Sequence, residues 1–298
     1  MPNSKKVSDI RQHLSWGERN AFALVLFMYH ALNKKPNIII LDDPISSFDS
    51  HKKYAIINRL FSPDQDSFFE KTVLMLTHDM QPLIDMLVIN KPINKNVVAY
   101  FLLNKNGIIT EQEIQDDDIK PLPIILTENA KDGNLNIIHR LACLRKLIET
   151  LPKDSDSINN AYHLISSLIH IRIKPTLRHG RIKLTPDNIE SGSKFIHNYV
   201  PDFNYDELIK NIFNKKSLLE CFNKEKNPYI RIQIFRLIIK AFNLKEKKSD
   251  YPLIKYIDEQ LHIENDYMFS LNFLKYDFIP DFVVPKCCDF ISKECIIN

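Results

Sequence analysis

Two consecutive carboxylates, Asp42 and Asp43, follow directly after the aliphatic run Ile38–Leu41. Such a run is typical of a strand that is covered on both faces, as in a parallel sheet. Ligands bind at the carboxyl ends of these strands, and successive side chains on a strand point to opposite faces. The two acids are therefore candidates for two separate tasks at one site, although an Asp-Asp-Pro turn at the surface is the alternative.

A histidine follows the next apolar run along the chain. Thr72–Thr77 predicts a second buried strand, and His78 and Asp79 come immediately after it. A lone histidine after a strand is usually structural, but a position one strand beyond the two acids favours a functional role. At the carboxyl edge of a parallel sheet this histidine is expected to lie near the acids.

The start of a long apolar helix is the third candidate. Ser15 and Glu18 have the spacing of a capping box, and the helix that follows is apolar on nearly every face over Ala21–Leu32, so we expect it to be buried. A helix N-terminus presents free N–H groups and the positive end of a dipole, which suits an anion. Gly17 would let the backbone approach a phosphate closely. A helix cap with no ligand is the simpler alternative.

Four short stretches occur in a fixed order: Leu14–Glu18, Ile38–Pro44, Ser46–Asp49 and Leu76–Asp79. Together they resemble the signature motif, Walker B strand, D-loop and switch histidine of an ABC-type ATPase head of the SMC/RecF-like kind. More narrowly, they resemble the P-loop group of bacterial defence proteins that includes the anticodon-nuclease ATPases. The resemblance covers roughly residues 10–110, and it implies ATP and Mg²⁺ as cofactors.

The resemblance also implies roles for the acids and the histidine. Asp42 would help to hold Mg²⁺ through water, Asp43 would polarise the attacking water, and His78 would contact the γ-phosphate. Most relatives carry Glu at the place of Asp43, and Asp is one methylene shorter. In such a site the protein would accelerate hydrolysis mainly by positioning the reactants and by electrostatic stabilisation.

A second set of residues would act across a dimer interface. In the resembled family the signature element faces the γ-phosphate of ATP that the opposite subunit holds, and the D-loop acid crosses the interface. The residues of this chain that match those two elements are Ser15, Gly17, Glu18, Ser47 and Asp49. The resemblance thus implies an ATP-dependent dimer as a partner state.

Glycine usage excludes a phosphate loop in this sequence. A GxxxxGK[ST] or GxGxxG motif needs glycines five or fewer residues apart. The chain has only five glycines, and no two of them are closer than 12 residues: Gly17, Gly107, Gly133, Gly180 and Gly192. We therefore expect the C-terminal part of a longer ATPase, which would need a lobe or subunit with a Walker A motif. A split-gene product, a truncated reading frame and an excised fragment all fit.

Composition changes at Asp116–Pro123, where three acids and two prolines predict a linker. Before it, helical and extended patterns alternate; after it, the apolar spacing is helical, as for Ile137, Leu141, Leu144 and Ile148. We predict an α/β fold: an incomplete P-loop lobe with a mainly parallel sheet over residues 1–118, then a mainly α-helical domain over 119–298. In the lobe, the pattern predicts a helix over Ser50–Phe61, a short helix near Pro82–Val88, and a strand Val97–Leu103 that turns through Asn104–Gly107 into a hairpin.

A basic window lies in the second half. Residues 157–186 contain no Asp or Glu but hold five cations: Arg172, Lys174, Arg178, Arg181 and Lys183. These side chains are candidates for contact with DNA or RNA phosphates, and an Arg/His ribonuclease pair is a further hypothesis because three histidines share the window. A solvated basic loop is the simplest interpretation.

The net charge, the longest apolar stretch and the cysteine pattern of the whole chain exclude further classes of protein. A net charge of +3 gives no polyanion-binding signature, and the longest apolar stretch falls short of the ~20 residues of a membrane span. Five cysteines without a CxxC pair are typical of a reducing cytoplasm. We expect a cytoplasmic ATPase subunit without membrane contact. A non-catalytic interaction module and a helical RNA-cleaving effector with a regulatory ATPase half remain as alternatives.

Overall fold

The computed structural model describes residues 14–63, 66–89, 95–105, 107–152, 155–177, 182–244, 253–254, 257 and 269–295. Residue contacts divide the chain into two compact units. The first unit comprises Met1–Phe101 and Gln112–Ile119, and the second comprises Leu102–Glu111 and Lys120–Asn298. Among the described residues, no helix is long and apolar enough to cross a membrane.

The first unit alternates helices and strands. The long helix begins after the N-cap Ser15, and the helix predicted over Ser50–Phe61 is present with those bounds. The elements in chain order are α1 (Trp16–Lys34), β1 (Ile39–Asp42), α2 (Ser50–Phe61), β2 (Val73–Leu76) and α3 (Gln81–Leu83), which continues into a π-helix (Ile84–Ile89).

The predicted parallel pairing is confirmed for β1 and β2. The register places Ile39 opposite Val73 and Asp42 opposite Leu76, so both strands end at the same edge. Side chains of α1, α2 and alternate positions of β1 form one apolar core, as Met28, Leu41 and Leu60 show. The core therefore fixes where the carboxyl ends of the two strands lie.

Three burial predictions for this unit are wrong. The strand predicted as buried over Thr72–Thr77 is present as β2, but Leu74 is 47% exposed and Leu76 is 41% exposed. The run Ile38–Leu41 is covered on one face only: Ile39 and Leu41 are buried, whereas Ile40 is 59% exposed. The long helix α1 is buried only at Met28 and Ala31. The physical reason is that, among the described residues, the sheet has two strands and the core packs against one of its faces.

A hairpin follows, with β3 over Ala99–Lys105 and β4 over Ile108–Ile114. Gly107 lies between them at φ +83°, a conformation that favours glycine, and its N–H donates to Asn104 Oδ1 over 3.0 Å. The hairpin predicted at this point is present.

The second unit is mainly helical. A 3₁₀ turn (Asp116–Asp118) at the end of the first unit leads into β5 (Ile119–Pro121), which pairs with β6 (Phe269–Leu271). The predicted helical faces are confirmed, since Leu141, Leu144 and Ile148 are all buried. The helices in chain order are α4 (Leu122–Lys131), α5 (Ile137–Thr150), α6 (Asp156–Ile169), α7 (Pro186–His197), α8 (Tyr205–Asn211), α9 (Lys215–Lys224), α10 (Pro228–Ala241) and α11 (Val283–Glu294).

Candidate functional site

The two acids lie at the carboxyl end of β1, as the sequence predicts. Asp42 is the last residue of the strand and its side chain is exposed, on the same face as Ile40. Asp43 is half-buried and begins the following turn. The side chains of the pair therefore meet different surroundings, one open to solvent and one packed beside β2.

Asp43 adopts an unusual backbone conformation. Its φ of 44° lies in the left-handed region, which costs roughly 1–2 kcal/mol for a residue with a Cβ, although Asp tolerates it better than most. Its N–H donates to the carbonyl of Leu76 over 2.7 Å, which extends the β1–β2 ladder by one bond. This bond fixes the turn, and strain of this kind often occurs at functional sites.

Thr77 connects the end of β2 to Asp43. Its hydroxyl donates to Asp43 Oδ1 over 3.3 Å and accepts the N–H of Asp79 over 3.0 Å. His78 lies between Thr77 and Asp79 in the chain, and its side chain is exposed. The structure thus brings Asp42, Asp43 and the His78 loop to one edge of the sheet.

The predicted capping box is present at the start of α1. Ser15 Oγ accepts the N–H of Glu18 over 3.3 Å, and Glu18 Oε2 accepts the N–H of Ser15 over 2.8 Å. Hydrogen bonding by the hydroxyl and then by the backbone of Ser15 lowers the pKa of Glu18, which is exposed. The Glu18 carboxylate is therefore anionic at neutral pH and engaged with its own helix cap.

The start of α1 lies beside the segment Ser46–Asp49. Asn20 Nδ2 donates to Ser47 Oγ over 3.0 Å. Gly17 faces Phe48: a Cβ at the glycine would stand 3.8 Å from the ring, which is ordinary van der Waals contact. Steric crowding within the described structure therefore does not require glycine at this position.

Asp49 caps α2. Its Oδ1 accepts the N–H of Lys52 over 3.0 Å, and its Oδ2 pairs with Lys52 Nζ at 3.1 Å. Both side chains are more than half exposed, so the ion pair contributes little stability. The carboxylate stands at the surface, where an approaching partner can reach it.

The residues present fit Mg²⁺ with ATP better than a metal held by protein alone. No group of three or more His, Cys, Asp or Glu side chains in the described ranges has the arrangement of a metal site. The carboxyl end of β1 offers the oxygens of Asp42 and Asp43. Because Mg²⁺ usually keeps several waters and binds through one or two carboxylates plus substrate phosphates, this donor set suits it.

Four further residues of this edge were not predicted from the sequence as part of the site. Asn20, Thr77, Lys53 and Asp79 make the contacts that join its parts. Thr77 and Asp79 flank His78, so adjacency was the available signal for them. Asn20 and Lys53 stand near their motifs in the sequence, but their partners are 27 and 26 residues away, and no local pattern shows such pairs.

The basic window begins within α6, and its described cations Arg172, Lys174 and Lys183 lie between α6 and α7 in the second unit. Lys174 and Lys183 are exposed, and an antiparallel bridge joins Thr176 to Lys183. Arg172 Nη1 donates to Thr176 Oγ1 over 2.8 Å, so this guanidinium helps to hold the loop. Arg178 and Arg181 lie outside the described residues.

One histidine of the window lies among cations. Partial burial of the ring, and then the charges of Lys240, Arg172 and Arg145, lower the pKa of His170 to about 4. The imidazole is therefore neutral at pH 7. Helices α5 and α10 contribute Arg145 and Lys240, and Arg145 also pairs with Glu149 at 3.3 Å.

A family model described as AAA domain matches residues 3–242, which is most of the chain. The match covers the whole edge described above and continues through the basic window into α10. No solved structure matches the chain.

Proposed function

Because the chain belongs to the AAA domain family, we propose that it supplies one part of a composite ATP site and takes part in ATP hydrolysis once another segment or subunit provides a phosphate loop. One observation carries the proposal. Asp42 ends β1 and Asp43 follows it, Thr77 and His78 follow β2, and the Thr77–Asp43 hydrogen bond joins the ends of the two parallel strands. This is the edge at which open α/β sheets bind their ligands.

We assign the acids and the histidine as follows. Asp42, exposed at the end of β1, holds the metal through water, and Asp43, oriented by Thr77, accepts the hydrogen bond of the attacking water. His78, on the exposed loop after β2, contacts the γ-phosphate. Mg²⁺, when bound with ATP, neutralises charge on the phosphate oxygens.

A second set of residues acts on the nucleotide that the opposite subunit of a dimer holds. The free N–H groups at the start of α1, with Ser15, Gly17 and Glu18 at the helix end, face the γ-phosphate of a second subunit. Ser47 lies beside α1, since Asn20 donates to its hydroxyl, and Asp49 follows at the start of α2. We infer an ATP-dependent dimer of the SMC/RecF-like kind, which serves bacterial defence or DNA and RNA transactions.

The apolar surface of the first unit supports the proposal that a further lobe packs against it. Parallel sheets are normally covered on both faces, yet one face of the β1–β2 sheet exposes four aliphatic side chains: Ile38, Ile40, Leu74 and Leu76. The sequence carries no phosphate loop of its own. A lobe that bears the Walker A motif would both cover this face and bring the loop to the strand ends.

The test uses the chain alone and in an assembly. Alone, it should bind Mg²⁺–ATP more weakly than millimolar in isothermal titration, because the remaining elements contribute few phosphate contacts without the loop and its Lys. Co-expressed with a neighbouring gene product that contains GxxxxGK[ST], it should hydrolyse ATP. Ser15→Arg should prevent the ATP-dependent dimer, and the exposed Asp187→Asn serves as a control. Submillimolar binding by the chain alone, or an assembly without turnover, would overturn the proposal.

A second candidate function is contact with a nucleic-acid backbone by the second unit. The acid-free window and the cations around His170 favour it. Binding to duplex DNA or tRNA should weaken with salt, because each neutralised phosphate releases counterions. Reversal of Lys174 and Lys183 to Glu should flatten the log–log slope by about two units.

The matched control for this candidate changes the same charge outside the window. Lys210→Glu combined with Lys216→Glu should leave the salt slope unchanged, since both side chains are exposed on other elements. Absence of binding to DNA or tRNA at low salt would return the window to a solvated basic loop. Strand cleavage by the wild-type chain would extend the candidate to a ribonuclease.

A further inference from the structure

An ion pair joins α2 to the loop that carries His78. Lys53 Nζ donates to Asp79 Oδ2, and the two side chains are only 17% and 23% exposed. The neighbouring pair Lys52–Asp49 is more than half exposed on both sides. Because desolvation strengthens a hydrogen-bonded charge pair that is well placed, Lys53–Asp79 is the stronger tether of the two.

Asp79 is the centre of a longer chain of hydrogen bonds. Its Oδ1 accepts the N–H of Gln81 over 2.9 Å, and Gln81 Nε2 donates to Asp85 Oδ1 over 2.8 Å. Asp85 is 1% exposed and lies in the π-helix. The exposed loop is thereby anchored to the interior of the first unit.

The same residue also reaches the hydrolytic edge. The N–H of Asp79 donates to Thr77 Oγ1, whose hydroxyl donates to Asp43. Burial alone would raise the pKa of Asp79, but the hydrogen bonds from Lys53 and Gln81 outweigh it and lower the pKa. Asp79 is therefore charged at neutral pH and holds Lys53, Thr77 and Gln81 at once.

Lys53 stands one helical turn after Asp49, the acid that caps α2, because residues four apart lie on the same face of a helix. Asp79 is the neighbour of His78. The ion pair thus joins α2, which Asp49 caps, to the loop that carries His78. Asp49 is the acid assigned to the dimer interface, and His78 is the residue assigned to the γ-phosphate.

We propose that Lys53 and Asp79 are positioning residues whose ion pair locks the His78 loop to α2, so that the switch histidine and the D-loop acid move as one body. The roles of His78 and Asp49 rest on the function proposed above. The lock itself is a property of the first unit and does not depend on nucleotide.

The first experiment tests the lock in the chain alone. Lys53→Met should accelerate amide hydrogen exchange about tenfold at Asp79 and Gln81, whose N–H groups depend on this network, since a hydrogen bond to a charged group is lost. Lys53→Arg should restore slow exchange. Lys194→Met, which breaks the exposed pair with Glu190, is the matched control and should change neither amide.

Asp79→Asn is the second variant, because it removes the charge but keeps an oxygen for the Gln81 N–H. It should accelerate exchange in the same direction, although less. Unchanged exchange at both amides in Lys53→Met and Asp79→Asn would overturn the lock, whatever the chain does with ATP.

The second experiment separates positioning from simple stability. In the assembly that hydrolyses ATP, Lys53→Met should lower kcat about tenfold and change KM for ATP less than about twofold, with recovery in Lys53→Arg. A merely structural role would lower the fraction of folded, assembled enzyme in Lys53→Met and leave kcat per active site unchanged. Unchanged kcat in Lys53→Met would overturn the positioning role while leaving the ATPase proposal intact.

Discussion

The hydroxyl of Thr77 donates a hydrogen bond to Oδ1 of Asp43 across 3.3 Å, from the end of β2 to the end of β1. The bond joins two strands that are parallel neighbours, and it directs the Asp43 carboxylate along the edge where His78 also stands. It therefore orients the acid that we assign to the attacking water.

Thr77→Val should test that orientation, because valine keeps the shape and removes the hydroxyl. We expect kcat of the assembled ATPase to fall about tenfold and the free energy of unfolding to fall by about 1 kcal/mol. Steady-state kinetics and urea denaturation measure the two effects. The control Thr127→Val removes a hydroxyl that donates to the carbonyl of Pro123 in α4, and it should affect stability alone. Equal kcat values for Thr77→Val and wild type would contradict the orienting role.

The left-handed backbone of Asp43 predicts a difference between two substitutions. Asn tolerates this region, whereas Ala does not, so Asp43→Ala should be about 1–2 kcal/mol less stable than Asp43→Asn. Chemical denaturation of the two variants measures the difference. At Asp42, which has extended backbone, Asn and Ala should differ much less. An equal stability of the two Asp43 variants would show that the turn relaxes in solution.

One position in the second unit requires glycine. A Cβ at Gly192 in α7 would stand 2.8 Å from backbone atoms of Asn160 and Ala161 in α6. Gly192→Ala should therefore lower the free energy of unfolding by about 1–3 kcal/mol. Gly133→Ala is the control, since nothing lies within 4 Å of a Cβ there. A Gly192→Ala variant as stable as wild type would mean that the two helices separate without cost.

Local pattern predicted the elements of this fold well, and it predicted burial well in the helical unit but poorly in the first unit. The helix Ser50–Phe61 and the strand pair ending at Asp42 and Leu76 follow from apolar spacing and end signals. The exposure of Ile40 does not, because an apolar run predicts what a strand would bury and not what is there to cover it.

The residues of the candidate site also differ in whether local sequence could predict them. Asp42, Asp43 and His78 could be predicted because each follows an apolar run directly. The pairing of Lys53 with Asp79 could not, because a separation of 26 positions places the ion pair beyond any local pattern. Only the packing of α2 against the loop after β2 brings the two charges together.

Two acids of the same network should show opposite pH dependence. Burial, and then the charge of Asp79, raise the pKa of Asp85 above its ordinary 3.8. A raised folded pKa contributes stability below the unfolded pKa, and this is lost as pH rises through the folded pKa. Asp85→Asn should therefore become more stable relative to wild type as pH rises above about 4.

Asp79 has the reverse sign, because its folded pKa lies below 3.8. Its contribution is present above the unfolded pKa and is lost as pH falls through the folded pKa. Asp79→Asn should thus be less stable than wild type near neutral pH and approach it in acid. Urea denaturation from about pH 3 to 8 measures both variants. Parallel pH profiles for Asp79→Asn and Asp85→Asn would contradict the assigned network.

The most direct test of the central claim is the ATP turnover of Asp43→Asn in the assembly with a phosphate-loop subunit. Asn keeps the left-handed turn and the shape of the side chain, so the assembly should still form with ATP. We predict that it forms and that turnover is abolished, because the carboxylate that polarises the attacking water is gone. Turnover at the wild-type rate would contradict the account, since Asp43 would then have no part in the chemistry at the end of β1.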